Sequence, residues 1–165
     1  MKTLKILSLF FALIMLSCGG EEEKKKESSK VKLKKQTTEK KVEAKKTLKP
    51  SETIDLTNKG TGPITSITLG AEIDQAMAAT GAEIYKKLCT ACHKPTKKFI
   101  GPAPKGILER RTPEWIMNII LDPEGMVKND PLAKKLLVEF NGSPMANQNL
   151  TEDEARAVLE YFRTL

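Results

Sequence analysis

The chain has 165 residues, room for one ordinary domain, and carries 28 Lys/Arg against 21 Asp/Glu. The basic excess is uneven: residues 1–50 hold 14 Lys/Arg and 6 Asp/Glu, a net of +8, whereas residues 51–165 hold 14 and 15, a net of −1. A nearly neutral body, with few aromatics and none interleaved with the lysines, argues against nucleic acid as a partner.

Residues 1–17 read as a signal peptide. Lys2 and Lys5 precede an apolar run from Ile6 to Leu16, a positive n-region and an h-region too short to span a bilayer as a helix. The run ends in Met15-Leu16-Ser17-Cys18-Gly19, which resembles the lipobox of bacterial lipoproteins, although Met15 and Leu16 depart from its commonest residues. The resemblance implies that Cys18 is diacylated and becomes the first residue of the mature chain, lipid-anchored on the periplasmic side of a bacterial membrane. An ordinary cleaved signal is the alternative. Which membrane holds the lipid stays open.

Residues 18–52 are rich in Lys, Glu, Ser and Thr, without Trp, Tyr or Phe. Such a stretch buries too little apolar surface to offset its ordering entropy, and reads as a solvated tether that lets the body search a small volume before the membrane. Residues 53–70 differ: Ile54 and Leu56 alternate with polar residues, Gly60-Thr61-Gly62-Pro63 punctuates, and Ile67 and Leu69 alternate again. They are expected to form a short extended arm packed on the domain, at one edge of its cofactor, with a loose linker as the alternative.

The domain, residues 71–165, reads as all-α. A first helix over about 72–88 places Ile73, Met77, Gly81, Ile84 and Leu88 near one face, with Gly81 allowing close approach of another helix. It runs into Cys89-Thr90-Ala91-Cys92-His93. Two cysteines one helical turn apart reach two vinyl groups on one edge of a porphyrin, and the next histidine reaches its iron, so the motif reads as attachment of one covalent haem c. A thioredoxin-like site needs a βαβ context, which is missing. A zinc site needs four ligands, and the chain has one histidine and only Cys18 besides.

Beyond Ile100-Gly101-Pro102, a middle helix opens at Thr112-Pro113-Glu114 with an apolar stripe of Trp115, Ile116, Ile119 and Ile120, and ends at Asp122-Pro123. Trp115 reads first as core. As a second reading it hydrogen-bonds a haem propionate, for which Arg110 and Arg111 are candidate ion partners. Asp130-Pro131 starts a helix with Leu132, Leu136 and Phe140 inward, ending at Asn141-Gly142. Thr151 and Glu154 form a capping box for the last helix, with Leu150 and Ala155 as staple and Val158, Tyr161, Phe162 and Leu165 apolar. For a sixth iron ligand, a second histidine is absent. Met1 and Met15 leave with the signal, and Met77 and Met117 lie in helices, which leaves Met126 and Met145, each expected in a loop.

The run from Gly81 through Tyr85 to His93 resembles the start of class I c-type cytochromes over about residues 71–165. The resemblance implies that the first helix crosses the last, with Gly81 and Tyr85 against Val158 and Tyr161. It further implies that the Pro102 carbonyl accepts a hydrogen bond from the His93 imidazole, a contact that orients the ring. It favours Met145, in Gly142-Ser143-Pro144-Met145, over Met126 as the distal ligand.

These readings imply a membrane-tethered, one-electron carrier and no enzyme. Its implied partners are a respiratory donor and a terminal reductase or oxidase outside the cytoplasm. Lysines flanking the haem motif (Lys86, Lys87, Lys94, Lys97, Lys98, Lys105) suit acidic partners as well as plain solvation. The alternative is a haem enzyme or gas sensor with a labile distal ligand.

Overall fold

Every α-helix among the described residues starts at a Thr or Asp whose side chain accepts a hydrogen bond from the first turn. The computed structural model describes residues 48–165, so the signal peptide, Cys18 and the tether as far as residue 47 lie outside the described residues. Asp74 caps α1 (Gln75–Leu88), Thr112 caps α2 (Pro113–Leu121) and Asp122 caps α3 (Pro123–Asn129). Asp130 caps α4 (Pro131–Glu139), and Thr151 with Glu154 closes the capping box of α5 (Glu152–Phe162). Three of these helices carry proline in their first turn, where its missing N–H has no partner to lose. A single 3₁₀ turn, Ile107–Glu109, precedes α2. Among the described residues the only β-type pairing is one isolated bridge, Asp55 with Arg111. The domain is all-α.

The core forms where α5 lies across α1 and α2. α5 packs most extensively on α1, and α2 packs beside it. The buried stripe of α1 is Ala78, Gly81 and Tyr85. It is rotated from the expected face, for Leu88 is 40% exposed. At the crossing, a Cβ on Gly81 would stand 1.9 Å from the Ala157 carbonyl oxygen, so only glycine lets the two backbones meet. Tyr85 lies 5.3 Å from Tyr161 and edge-on to Phe162 at 5.8 Å between ring centroids. Ile116, Leu159 and Val158 are essentially inaccessible, and such burial contributes about 1.5–3 kcal/mol per side chain.

Asp122-Pro123 does more than end a helix. It ends α2 and caps α3 in the same step, so Met126 sits in a helix and not in the loop expected from the sequence. Met126 is fully buried, and its sulfur accepts a hydrogen bond from the Thr61 N–H at 3.1 Å. Its partner is the arm.

That arm is ordered and begins earlier than expected, at about residue 50. Ile54 and Leu56, whose alternation suggested packing, are 66% and 54% exposed. Polar side chains hold the arm instead. The Asn118 amide accepts from the Ile64 N–H and donates to the carbonyls of Lys59 and Ile64. The Thr112 hydroxyl donates to the Asn58 carbonyl, and the Asn58 amide donates to Asp130 at 2.6 Å. Ile64 alone enters the core fully, with Ile67 and Leu69 packed against it.

Candidate functional site

The C-terminal turn of α1 continues through the pentapeptide. The N–H groups of Cys92 and His93 both donate to the Cys89 carbonyl, at 3.1 and 2.8 Å, which keeps the two cysteines one turn apart. The Tyr85 hydroxyl donates to the His93 carbonyl at 3.1 Å, and the Gly101 N–H donates to the Cys92 carbonyl at 2.9 Å. The loop from 92 to 101 is thereby closed at both ends.

The His93 ring is oriented by one bond and one tight contact. Its Nδ1 lies 2.8 Å from the Pro102 carbonyl oxygen. A carbonyl can only accept, so Nδ1 carries the proton and Nε2 keeps its lone pair for a metal. A Cβ at Gly101 would fall 2.4 Å from His93 Cε1, so this glycine makes room for the imidazole.

Beside the ring opens a cavity of about 1300 Å³, its mouth included. Cys89, Cys92, His93 and Met145 all line it. Most other lining groups are apolar, among them Ile116, Ile120, Leu136, Phe140 and Val158. Met145 reaches it from the segment after α4, where Asn141 and Gly142 are both at positive φ and the Gly142 N–H donates to the Leu137 carbonyl at 2.8 Å. Met126 is not among the lining residues.

The cysteine pair does not suit dithiol redox or zinc chemistry. Burial, with Cys92 adding to it, pushes the Cys89 thiol up to about 11, whereas a dithiol redox centre needs a lowered value. Among the described residues, no three His, Cys, Asp or Glu side chains gather to hold a metal. A large apolar cavity edged by two thiols, an oriented imidazole and a thioether fits a porphyrin.

Trp115 and Arg111 also line the cavity, with the indole N–H of the first and three of the five N–H groups of the second engaged elsewhere. The Trp115 indole N–H donates to Asp130 at 3.2 Å. The Arg111 guanidinium donates to the carbonyls of Pro50, Thr53 and Arg110 and lies over the Trp115 ring, 5.3 Å from its centroid. Asn118 and Glu139 carry no sequence signal for these roles, and Asp130 reads only as a helix start. Its second role, accepting from the Trp115 indole, has no signal in the sequence.

Comparison with known proteins decides the family. Residues 78–165 match the family model described as Cytochrome c. The chain belongs to the cytochrome c family. The cytochrome is 43% identical to cytochrome c from Rhodothermus marinus, covering 62% of this chain and 88% of that one, with a TM-score of 0.60. An engineered cytochrome c from the same organism is 42% identical, covers 62% and 89%, and has a TM-score of 0.60. Another structure of an engineered form, bound to a carbene intermediate, is 42% identical with a TM-score of 0.58 and coverage of 62% and 88%. No curated protein matches. The cytochrome therefore binds haem c covalently and works as a haem-based electron carrier exchanging electrons with redox partners.

Proposed function

We propose that this cytochrome is a lipid-tethered carrier of single electrons whose haem is held by Cys89 and Cys92 and ligated by His93 and Met145. The observation that carries the reading is the convergence of these four side chains on one apolar cavity, with the His93 tautomer set by the Pro102 carbonyl. Haem supplies the ferric/ferrous couple when bound. The chain's own residues do the rest. Cys89 and Cys92 fix the cofactor's edge, His93 presents Nε2, and Met145 supplies a thioether that favours the ferrous state and raises the potential. The apolar wall excludes water, which also disfavours the more highly charged ferric form. With haem bound, ligation by both His93 and Met145 would leave no position for O₂ or peroxide, which supports carrying electrons as the activity.

Cys18 supplies the anchor, the Lys/Glu tether gives reach, and the redox partners lie on the periplasmic side of the membrane. A respiratory donor and a terminal reductase or oxidase suit these features. Carbon monoxide added to the reduced protein at neutral pH tests the carrier reading: little or slow binding is expected, and fast, complete binding would favour an enzyme or gas sensor. Fractionation of a Cys18→Ser variant tests the anchor, with release from membranes expected.

A further inference from the structure

Arg111 is a buried cation, 3% exposed, at the wall of the cavity. Among the described residues no carboxylate stands within ion-pair distance of it; the ion pairs there are made by Lys49, Lys59, Arg156 and Arg163. Burial pulls its pKa below the ordinary value, Arg110 adds to this, and Asp55, Asp130 and Glu139 oppose it from farther off. Burying a charge without a paired counter-charge is costly, so its position calls for a reason.

The neighbouring groups are mostly backbone carbonyls, and two of them, of Pro50 and Thr53, belong to one short segment. That segment is fastened at both ends. Upstream, the Ser51 N–H and hydroxyl donate to the two oxygens of Glu139, at the end of α4, at 2.8 and 2.6 Å. Downstream, the Asp55 N–H donates to the Arg110 carbonyl at 2.9 Å. Ser51 itself lines the cavity. Hydrophobic burial does not explain this attachment, because Ile54 within it is 66% exposed. The segment also lies outside residues 78–165, the part that matches the family.

We propose that residues 50–55 are a strap that completes the haem pocket by holding Arg111 as a positive charge against it, and that the strap thereby sets the reduction potential. Arg111 is a positioning and tuning residue in this account. A fixed cation in a low-dielectric wall disfavours the extra positive charge of ferric iron, and it offers remaining N–H donors to an acidic group of the cofactor. The strap's carbonyls keep the guanidinium in place without neutralising it, which a carboxylate would do. The inference rests on the haem-carrier reading, and the visible spectrum reports that reading separately from the potential.

The test is redox titration of the full-length, haem-loaded protein against a mediator of known potential, with hydrogen exchange at the strap amides as a second readout. Arg111→Gln should shift the electron-exchange equilibrium about tenfold toward the oxidised form, with Arg111→Lys recovering part of the shift. Ser51→Ala changes no charge; it should speed exchange at residues 51–55 and shift the equilibrium in the same direction by about twofold. Lys128→Gln, an exposed charge on α3, should change little. An Arg111→Gln shift no larger than that of Lys128→Gln would overturn the proposal. So would a Ser51→Ala variant with an unmoved potential, whether or not its strap loosens. Should Arg111→Gln fail to load haem, Ser51→Ala and Arg111→Lys still decide.

Discussion

A Cβ at Gly81 would approach the Ala157 carbonyl oxygen to 1.9 Å, so the contact between α1 and α5 is one of backbone against backbone. Any side chain there must push apart the two helices that frame the cavity. Gly81→Ala gains helix propensity of about 1 kcal/mol but forces an overpacked crossing, which costs up to about 3 kcal/mol or more. Denaturant unfolding of the haem-loaded protein should show a net loss of about 2 kcal/mol. A stability gain would mean that the crossing is looser than described.

Gly101 plays the same part for the ligand. Gly101→Ala would bring a methyl to 2.4 Å from His93 Cε1 and displace the ring from the Pro102 carbonyl. The expected result is a lower potential and a partial shift to high-spin ferric iron, seen in the visible spectrum. An unchanged spectrum would show that the ring has freedom the geometry denies it.

Glu160 is fully buried on α5 and joins the ends of the domain. Its carboxylate meets Arg156, Arg163 at 2.5 Å and the Asp74 N–H at 2.9 Å. Burial raises its pKa, but the two arginines and the Asp74 N–H outweigh that and leave it below the ordinary 4.5. The sign follows: the carboxylate's contribution to stability is complete above the unfolded value and is lost as pH falls through the lower, folded one. Glu160→Gln should cost about 3 kcal/mol at pH 7, with the gap to wild type closing as pH falls below the carboxylate's ordinary value and through its lowered folded one. Thermal unfolding across that pH range is the check, and a gap independent of pH would contradict it.

Asn118 anchors the arm with three hydrogen bonds to Lys59 and Ile64 from a site 1% exposed. Asn118→Ala strands three backbone groups and should cost about 2–3 kcal/mol. Limited proteolysis should then cut within residues 57–67 while the haem spectrum persists. Unchanged protection of the arm would assign its order to Ile64 alone.

How much was legible follows from which forces leave a pattern. Helix starts at Asp130-Pro131 and Thr151 were readable because caps use few residue types at fixed offsets. The cysteine–histidine run was readable because covalent attachment fixes its spacing. The short α3 was missed: seven residues with Gly125 among them give too little periodicity, and Met126 was mistaken for a loop residue with it. The arm was located, but its packing was misassigned to Ile54 and Leu56. Its real fastenings, through Asn58, Asn118 and Asp130, join residues about 54–72 positions apart and have no period to read.

The central claim is that Cys89, Cys92, His93 and Met145 grip one haem. Full-length protein matured in a host able to attach haem c, beside its Met145→Ala variant, tests it by visible absorption of the oxidised form before and after acidified-acetone extraction. The account predicts that colour stays with the polypeptide in both proteins, and that the methionine–iron charge-transfer band is present in the first and absent from the second. Colourless protein, extractable haem, or a band that survives in Met145→Ala would contradict it.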